Sequence, residues 1–491
     1  MKNNSNLVPE NSTYQNQFWI GPVEQKPAVT NRTFDLNSGY ILALTLGTKI
    51  IEVKLNSGEQ AGFLLGDPID LEQKSVLRET YTLSTAASTA SPEEIEQAIY
   101  KLAGSWIFIC TCNNKLSVYL DADATLGLVY NKKRNIAAST TGLILDNDEY
   151  ENLFQHDLYE SLAVRRDGWV PGGLTAHKGI NRLIVNHYLD LQNWEIVRHW
   201  PNQKLPDLSH EEIISRIVDN IRNTVFAISK DEKLASSLTG GNETRALLGC
   251  LRDIISDIDF YTIKGPDSAK DIYLSSLIAD TFTLKHDLLP LTLASEADQK
   301  QYLYSASHCA GGSNVETHPS LSPLKDYNYM LGGLGGEIGR GFLWKNTDTS
   351  STKLDPVSLT SRLGLPENEI VQKVVIDWVS ETQHIDQIAQ LDLAYIELRM
   401  CPWGFVQSYC QNTVKKIHPL ISRENYELML SIPDDWKKNN VLINKIITAT
   451  WPELYSIPIK RYGNYRDQTE IIMRAIKNPH LVIKKLRKIF S

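Results

Sequence analysis

The stretch LASSLTGGNETRALLGCLRD, Leu234 to Asp253, decides how the second half of this chain is read. An apolar, strand-like run ends in Thr239-Gly240-Gly241, and a helix-like run begins at once. Paired glycines let a backbone approach a ligand closely. The first amides of a helix point outward unsatisfied, with partial positive charge, which makes an anion site whose usual guest is phosphate. Thr239 and Thr244 add hydroxyls. Glu243 would repel a phosphate unless a hard divalent cation lay between them, and Mg²⁺ suits that place. A plain strand–helix turn, with Glu243 favouring the helix dipole, accounts for these residues equally well when they are taken alone.

The sequence on either side alternates. Strand candidates at 234–238, 259–263 and 327–333 are separated by helix candidates at 243–255 and 268–283, which predicts a parallel sheet covered by helices, with ligands outside the carboxyl ends of its strands. The third strand runs into a second glycine cluster, MLGGLGGEIGRGFLW (Met330 to Trp344), with Gly333 and Gly335 in it and Glu337 directly after a glycine pair. Two such loops on neighbouring strands would hold one Mg²⁺ from two sides. Arg340 stands ready for a phosphate or a substrate carboxylate. Neither cluster has the Gly-Lys-Ser of a P-loop or the spacing of a dinucleotide fingerprint.

Upstream, Gly39–Val53 and Trp106–Asn131 are β-branched and aromatic runs broken by turns, so the first 200 residues read as β-rich. Ser91, Pro92, Glu93 and Glu94 cap a helix between them. Ser209 and Glu212 form a capping box that opens the helical region beginning near 206. Beyond 350 the chain reads as mostly helical, and residues 466–491 as a basic helix with Lys484, Lys485, Arg487 and Lys488, a solvated face or a surface for a membrane or partner. The expected organisation is thus 1–205, 206–465 and 466–491.

The composition is that of a globular protein: 491 residues, 42% hydrophobic and 22% charged, with formal net charge −8. That balance argues against a nucleic-acid binder. Six cysteines, at 110, 112, 250, 309, 401 and 410, are too sparse for a disulfide framework, so a cytoplasmic location is expected. The start has no apolar core of a secretory signal, and no apolar run is long enough for an integral membrane segment. Cys110 and Cys112 read as buried packing; His308, Cys309 and His318 have no recognisable ligand spacing.

Thr239-Gly240-Gly241-Asn242-Glu243-Thr244 resembles the Ser-Gly-Gly-x-Asp-Ser pyrophosphate loop of the asparagine synthetase and β-lactam synthetase superfamily. The second cluster looks like that family's Gly-x-Gly-x-Asp segment, with Glu337 at its second metal carboxylate. KGPDSAKDIYLSSLIADTFTLKHDLLPL (Lys264 to Leu291) is similar to the family's stretch after its second strand and supplies Asp271 and His286. TWPELYSIPIKRYG is similar to its C-terminal segment, where a lysine follows eight residues after a proline, here Pro452 and Lys460. GSWIFICTCNNKLSVYLDADATLGLVYN and GLTAHKGINRLIVNHYLDL look like parts of the family's glutaminase-type domain.

The resemblance implies a mixed α/β and α+β protein. An N-terminal Ntn-hydrolase-like β-sandwich would precede a PP-loop (adenine nucleotide alpha hydrolase-like) parallel-sheet domain with a helical C-terminal part. It implies an ATP-dependent, AMP-forming carbon–nitrogen ligase, acting in natural-product, modified-peptide or surface-polysaccharide biosynthesis. ATP and Mg²⁺ would be the cofactors, and small-molecule or peptide carboxylates and amines the substrates; a homodimer is compatible with it. Leu238 and Ile263 would meet adenine. Thr239 to Thr244, Asp271, Gly333, Gly335 and Arg340 would surround the phosphates, Glu243 and Glu337 would hold the metal, and Lys460 would stabilise the oxyanion. The β-lactam synthetase branch deprotonates its amine with a Tyr/Glu pair, for which Tyr395 with Glu397 and Tyr329 with Glu337 are the candidates.

The chain departs from the family in two ways. Lys2, not cysteine, follows Met1, so a glutaminase nucleophile is not expected. Glutamate replaces aspartate at both metal positions. A degenerate relative acting as binding partner or scaffold, and an asparagine synthetase using free ammonia, are therefore the competing readings.

Overall fold

The computed structural model describes residues 7–469 apart from 38, 85–90, 113–114, 167, 202–203, 231, 352 and 411–413. Within the first half, two sheets lie face to face. One is six-stranded and wholly antiparallel, centred on Phe18–Pro22, which pairs with Tyr40–Leu44 on one side and Ile136–Ala138 on the other. The other is eight-stranded and built on the long pair Gln60–Asp70 and Leu102–Cys110.

Leu102–Cys110 shows why the sheets stack. Alternate residues of a strand face opposite sides. Ala103, Ile107 and Ile109 enter the core shared with the first sheet, while Leu102, Trp106, Phe108 and Cys110 enter a second core beneath the helix Pro92–Ile99. Phe34 and Phe63 meet across the two sheets with ring centroids 5.3 Å apart. The covering helix starts as its sequence predicts, with Ser91 Oγ accepting the Glu94 amide and Glu94 accepting the Ser91 amide.

The second half carries a parallel five-stranded sheet. Its strands are β1 (Leu234–Ser237), β2 (Ile258–Lys264), β3 (His286–Pro290), β4 (Tyr329–Leu331) and β5 (Lys415–Ile417), in the order β3-β2-β1-β4-β5. Helices α1 (His210–Ser229), α2 (Asn242–Cys250), α3 (Ala269–Phe282) and α4 (Val441–Thr450) pack around it. The sheet grows outward from β1 in one direction and then from β4 in the other. That reversal opens a crevice beyond the carboxyl ends of β1 and β4. Thr239-Gly240-Gly241 leaves β1 there, and Gly332 to Glu337 leaves β4.

The β-rich runs are broken by turns as expected: Gly39–Val53 is two strands in different sheets, separated at Gly47, which takes φ +83°, and Trp106–Asn131 contains parts of three strands. Other expectations need correction. The α helix expected to reach 255 ends at Cys250 and passes into a 3₁₀ turn. Ser209 caps α1 through the Glu212 amide at 3.2 Å, but Glu212 turns away to Arg216, so only half of the capping box forms. Strands β3 and β5 were not expected; Pro290 is tolerated because β3 lies at an edge. Residues 470–491 of the expected basic helix, including Lys484, Lys485, Arg487 and Lys488, lie outside the described residues. No described helix is long and apolar enough to cross a membrane.

The halves are joined by buried polar contacts. Asp67, at the far end of the sandwich's longest strand, accepts Tyr329 Oη of β4 at 2.8 Å and pairs with Lys49 and with Lys415 of β5. Glu397, fully buried, accepts Asn186 Nδ2 at 2.7 Å, both terminal nitrogens of Arg198, and Trp378 Nε1 at 2.6 Å.

Candidate functional site

The chain leaves β1 with its backbone already committed. Leu238 donates its amide to Tyr261 O at 2.8 Å, and its carbonyl accepts Thr262 Oγ1 at 2.6 Å. An adenine at this edge would find only the second lone pair of that carbonyl. Ile263, half-buried at the end of β2, accepts the Gly265 amide at 3.1 Å. The turn that follows is internally braced. Thr239 Oγ1 lies 2.8 Å from Thr244 Oγ1 and accepts the Gly241 amide at 3.3 Å. Asp271, near the start of α3, accepts the Gly240 amide at 3.0 Å. An anion seated on that amide would replace Asp271 as its acceptor.

The glycines differ in why they must be glycine. A Cβ at Gly240 would lie 2.3 Å from Leu274 Cδ1, so close packing accounts for it. Gly335 has φ +105°, a conformation that disfavours side chains. Gly241 and Gly333 have neither excuse. Gly241 has φ −80° and ψ 163°, and a Cβ there would meet nothing nearer than Thr239 Oγ1 at 3.4 Å, Glu243 Oε2 at 3.7 Å and Lys460 Cε at 3.7 Å. At Gly333 the nearest atom is Glu243 Cβ at 3.8 Å. What these two glycines leave is room beside Glu243 that a Cβ would enter at ordinary contact distances.

Glu243, the second residue of α2, lies against the β4 loop, its Cγ 3.3 Å from the Cβ position of Gly336. Arg340 joins the two loops: Nε is 3.4 Å from Glu243 Oε1 and Nη2 is 3.6 Å from Glu337 Oε1. Glu337 also accepts the Gly335 amide at 3.2 Å. The sequence pairing of these carboxylates is therefore realised around one cation, the guanidinium. Among the described residues no group of three or more His, Cys, Asp or Glu side chains gathers as a metal cage. Two convergent carboxylates fit Mg²⁺, which keeps several waters and takes its remaining ligands from phosphate.

Lys460 reaches the same place from the far end of the chain. Its amide donates to Gly240 O at 3.2 Å, and it adopts φ +52°, uncommon for a residue with a side chain. Its position depends on Arg245. That guanidinium, fully buried in α2, donates to Leu454 O at 2.8 Å, Ile457 O at 2.5 Å and Pro458 O at 2.6 Å. Burial lowers its pKa to about 10, which leaves it charged at neutral pH with carbonyl dipoles as its partners. Arg245 thus fastens the strap that presents Lys460, and its only sequence signal is an arginine in the first turns of an otherwise apolar helix. Beside the strap, a cleft of about 810 Å³ is lined by Asn242, Asn444, Thr448, Tyr455 and Arg461 among others, and Asn242 Oδ1 has no hydrogen-bond partner.

Other candidates stand elsewhere. Glu397 is saturated by Arg198, Asn186 and Trp378, so it has no lone pair with which to take a proton from an amine. Tyr329 is held by Asp67 at the amino end of its strand. Tyr395 is buried, which raises its pKa, and packs on Phe342 with centroids 4.8 Å apart. His308 bonds Tyr150 Oη at 2.9 Å in an aromatic core, His318 packs on Tyr302, and Cys309 is buried. His286 meets Thr262 Oγ1 at 2.9 Å. Cys110 and Cys112 are buried free thiols, Sγ to Sγ 3.1 Å.

No family model matches this sequence, and no curated protein does. Among solved structures the chain is similar to the NMN synthetase from Francisella tularensis, with 8% identity, 39% of this chain and 93% of that chain covered, and a TM-score of 0.20. A likeness that loose carries no argument, and the functional reading rests on the site.

Proposed function

We propose that the chain is an ATP-dependent amide-bond-forming ligase of the asparagine synthetase-like kind. A PP-loop-type sheet would hold the nucleotide, and the Ntn-like sandwich would not act as a glutaminase. One observation carries this reading. Gly241 and Gly333, free of conformational or packing need, open onto Glu243 at the crevice where Glu337, Arg340 and Lys460 also arrive. The space, the carboxylate pair and the two cations are what a nucleotide triphosphate with its magnesium requires.

In this reading Thr239, Gly240 and Gly241 bind the leaving pyrophosphate, and Thr244 orients Thr239. Glu243 and Glu337 hold Mg²⁺, which would neutralise phosphate charge. Arg340, released from the carboxylates, meets a phosphate or the substrate carboxylate. That carboxylate attacks the α-phosphorus, pyrophosphate departs, and an amine then takes the acyl group from AMP. Lys460 stabilises the oxyanion formed in that transfer, an effect of roughly 3–4 kcal/mol for one preorganised donor.

The Arg340 bridge also favours a second reading. A guanidinium that already neutralises both glutamates suits a degenerate, non-catalytic relative that binds a partner. Thermal unfolding separates the two. Mg²⁺·ATP at about 100 times its dissociation constant stabilises the folded state by roughly 2.7 kcal/mol. The ligase reading expects a rise in midpoint that Mg²⁺ alone does not give and that Gly241→Asp removes. No rise in the unmodified protein would favour the partner-binding reading. Asparagine formed from aspartate and ammonium would identify the ammonia-using alternative.

A further inference from the structure

The long helical segment Gln387–Tyr409 is interrupted by a π-helical turn at Tyr395–Met400. Its cause is local. Pro402 has no amide, so the carbonyl of Leu398, four residues back, loses its helical donor. Trp169, from the sandwich half, supplies the replacement, with Nε1 donating to Leu398 O at 2.7 Å. This seats the indole beside the next residue, Arg399, whose guanidinium carbon lies 4.6 Å from the Trp169 ring centroid. On another side Arg399 lies 5.5 Å from the ring of Phe342, and Arg340 lies 5.2 Å from that same ring. Phe342 is 43% exposed, an unusual position for a phenylalanine between two cations.

The two arginines differ in one respect. Arg340 is paired with Glu243 and Glu337. Arg399 is half-buried, and among the described residues no carboxylate lies within ion-pairing distance of it and no hydrogen bond to its guanidinium is formed. A guanidinium fixed by aromatic rings keeps its planar fork free for a carboxylate, and its weak hydration suits it to that role. A cation without an anion, one ring away from the crevice, marks where a second negative group of a bound molecule would sit.

We infer that Arg399, held between Trp169 and Phe342, receives a carboxylate of the acid substrate other than the one that is activated, so the acid substrate carries at least two carboxylates. This rests on the ligase reading: the activated carboxylate lies by Arg340, and the second reaches past Phe342 to Arg399. The exposed ring then covers the apolar chain between them. The shared chemistry is a pair of carboxylates joined by an apolar spacer, from a free dicarboxylic acid or from an acidic peptide.

The test is calorimetric titration of the full chain, with and without Mg²⁺ and a non-hydrolysable ATP analogue. The probes are glutarate, pimelate, the peptide acetyl-Gly-Glu-Gly, and butyrate as the single-carboxylate control. The unmodified protein is expected to bind glutarate, pimelate or the peptide at least about tenfold more tightly than butyrate, and Arg399→Met to remove that difference, as loss of one charge-assisted pair would. Arg399→Lys should keep part of it. Preference for a diacid or for the peptide assigns the source. The inference is overturned if Arg399→Met, still folded by its melting curve, binds every probe as the unmodified protein does. It is equally overturned if no probe binds the unmodified protein at roughly millimolar concentration. Mg²⁺·ATP stabilisation that persists in Arg399→Met shows that a negative result falls on the carboxylate site and not on the nucleotide reading.

Discussion

Arg245→Met tests whether the strap carrying Lys460 is held by one buried cation. The substitution keeps an unbranched apolar stem as far as the position of Nε while removing all three hydrogen bonds. Leu454 O retains a weak donor, the Ile457 amide at 3.4 Å, but Ile457 O and Pro458 O lose the donor they had. A buried carbonyl left unpaired costs about 1–3 kcal/mol. Loss of the guanidinium's own desolvation offsets part of this, since an ion removed from the interior no longer has to be kept there. A net local cost of about 3 kcal/mol follows for opening of the strap. The reporter is the Lys460 amide, which closes the strap onto Gly240 O at 3.2 Å. At 1.4 kcal/mol per tenfold, its hydrogen exchange should accelerate by about a hundredfold or more. Arg245→Lys, with one ammonium in place of a fork, should lie between. Exchange in Arg245→Met within about threefold of the unmodified protein would refute the reasoning and leave packing of Leu454 and Ile457 as what holds the strap.

Three further outcomes are expected. Gly241→Ala should leave the urea midpoint nearly unchanged, whereas Gly240→Ala, which drives a Cβ against Leu274, should cost about 1–3 kcal/mol; equal costs would contradict the distinction between the two glycines. Glu397→Ala should destabilise by about 3–5 kcal/mol by removing the acceptor shared by Asn186, Trp378 and the terminal nitrogens of Arg198, although Arg198 keeps Glu381 at its Nε, read from chemical denaturation. His418 is held at a pKa of about 3 by burial, so the folded protein refuses a proton that the unfolded chain accepts below about 6.5. Its stabilising contribution is complete above pH 6.5 and is lost as pH falls toward 3. Between pH 6.5 and 5 the unmodified protein should therefore lose about 2 kcal/mol more than His418→Asn. Parallel losses would mean that the fold protonates this imidazole.

What the sequence disclosed, and what it hid, follows from the range of the interactions. Ser91 and Glu94 cap a helix within three residues, so that helix was legible, and the β-branched and aromatic run after Trp106 marked strand; which face of Leu102–Cys110 enters which core was not legible, since both faces are apolar. The glycine–carboxylate loops were legible because each is contiguous. Strand β5 was not: Lys415-Lys416-Ile417 has the composition of a surface turn, and Lys415 is satisfied by Asp67, 348 residues away. Arg245 could not be assigned because its acceptors are backbone carbonyls, which leave no trace in side-chain identity. The π turn had a visible cause in Pro402, but its replacement donor, Trp169, lies 229 residues earlier. The division of the β-rich half into two sheets depends on which strands pair, and apolar runs alone do not specify that.

The Asp67 junction bears on how this chain can be taken apart. A cut between residues 205 and 206 looks like a natural place to separate a sandwich from a sheet. Yet Tyr329 and Lys415, on two strands of that sheet, are completed by one aspartate from the other side, and Asn186 and Arg198 are completed by Glu397 in return. Each fragment would expose the other's ionic partners. Produced together, the two pieces carry matched plugs and sockets, so this seam suits a split reporter whose signal depends on reassociation better than it suits the harvesting of an autonomous module.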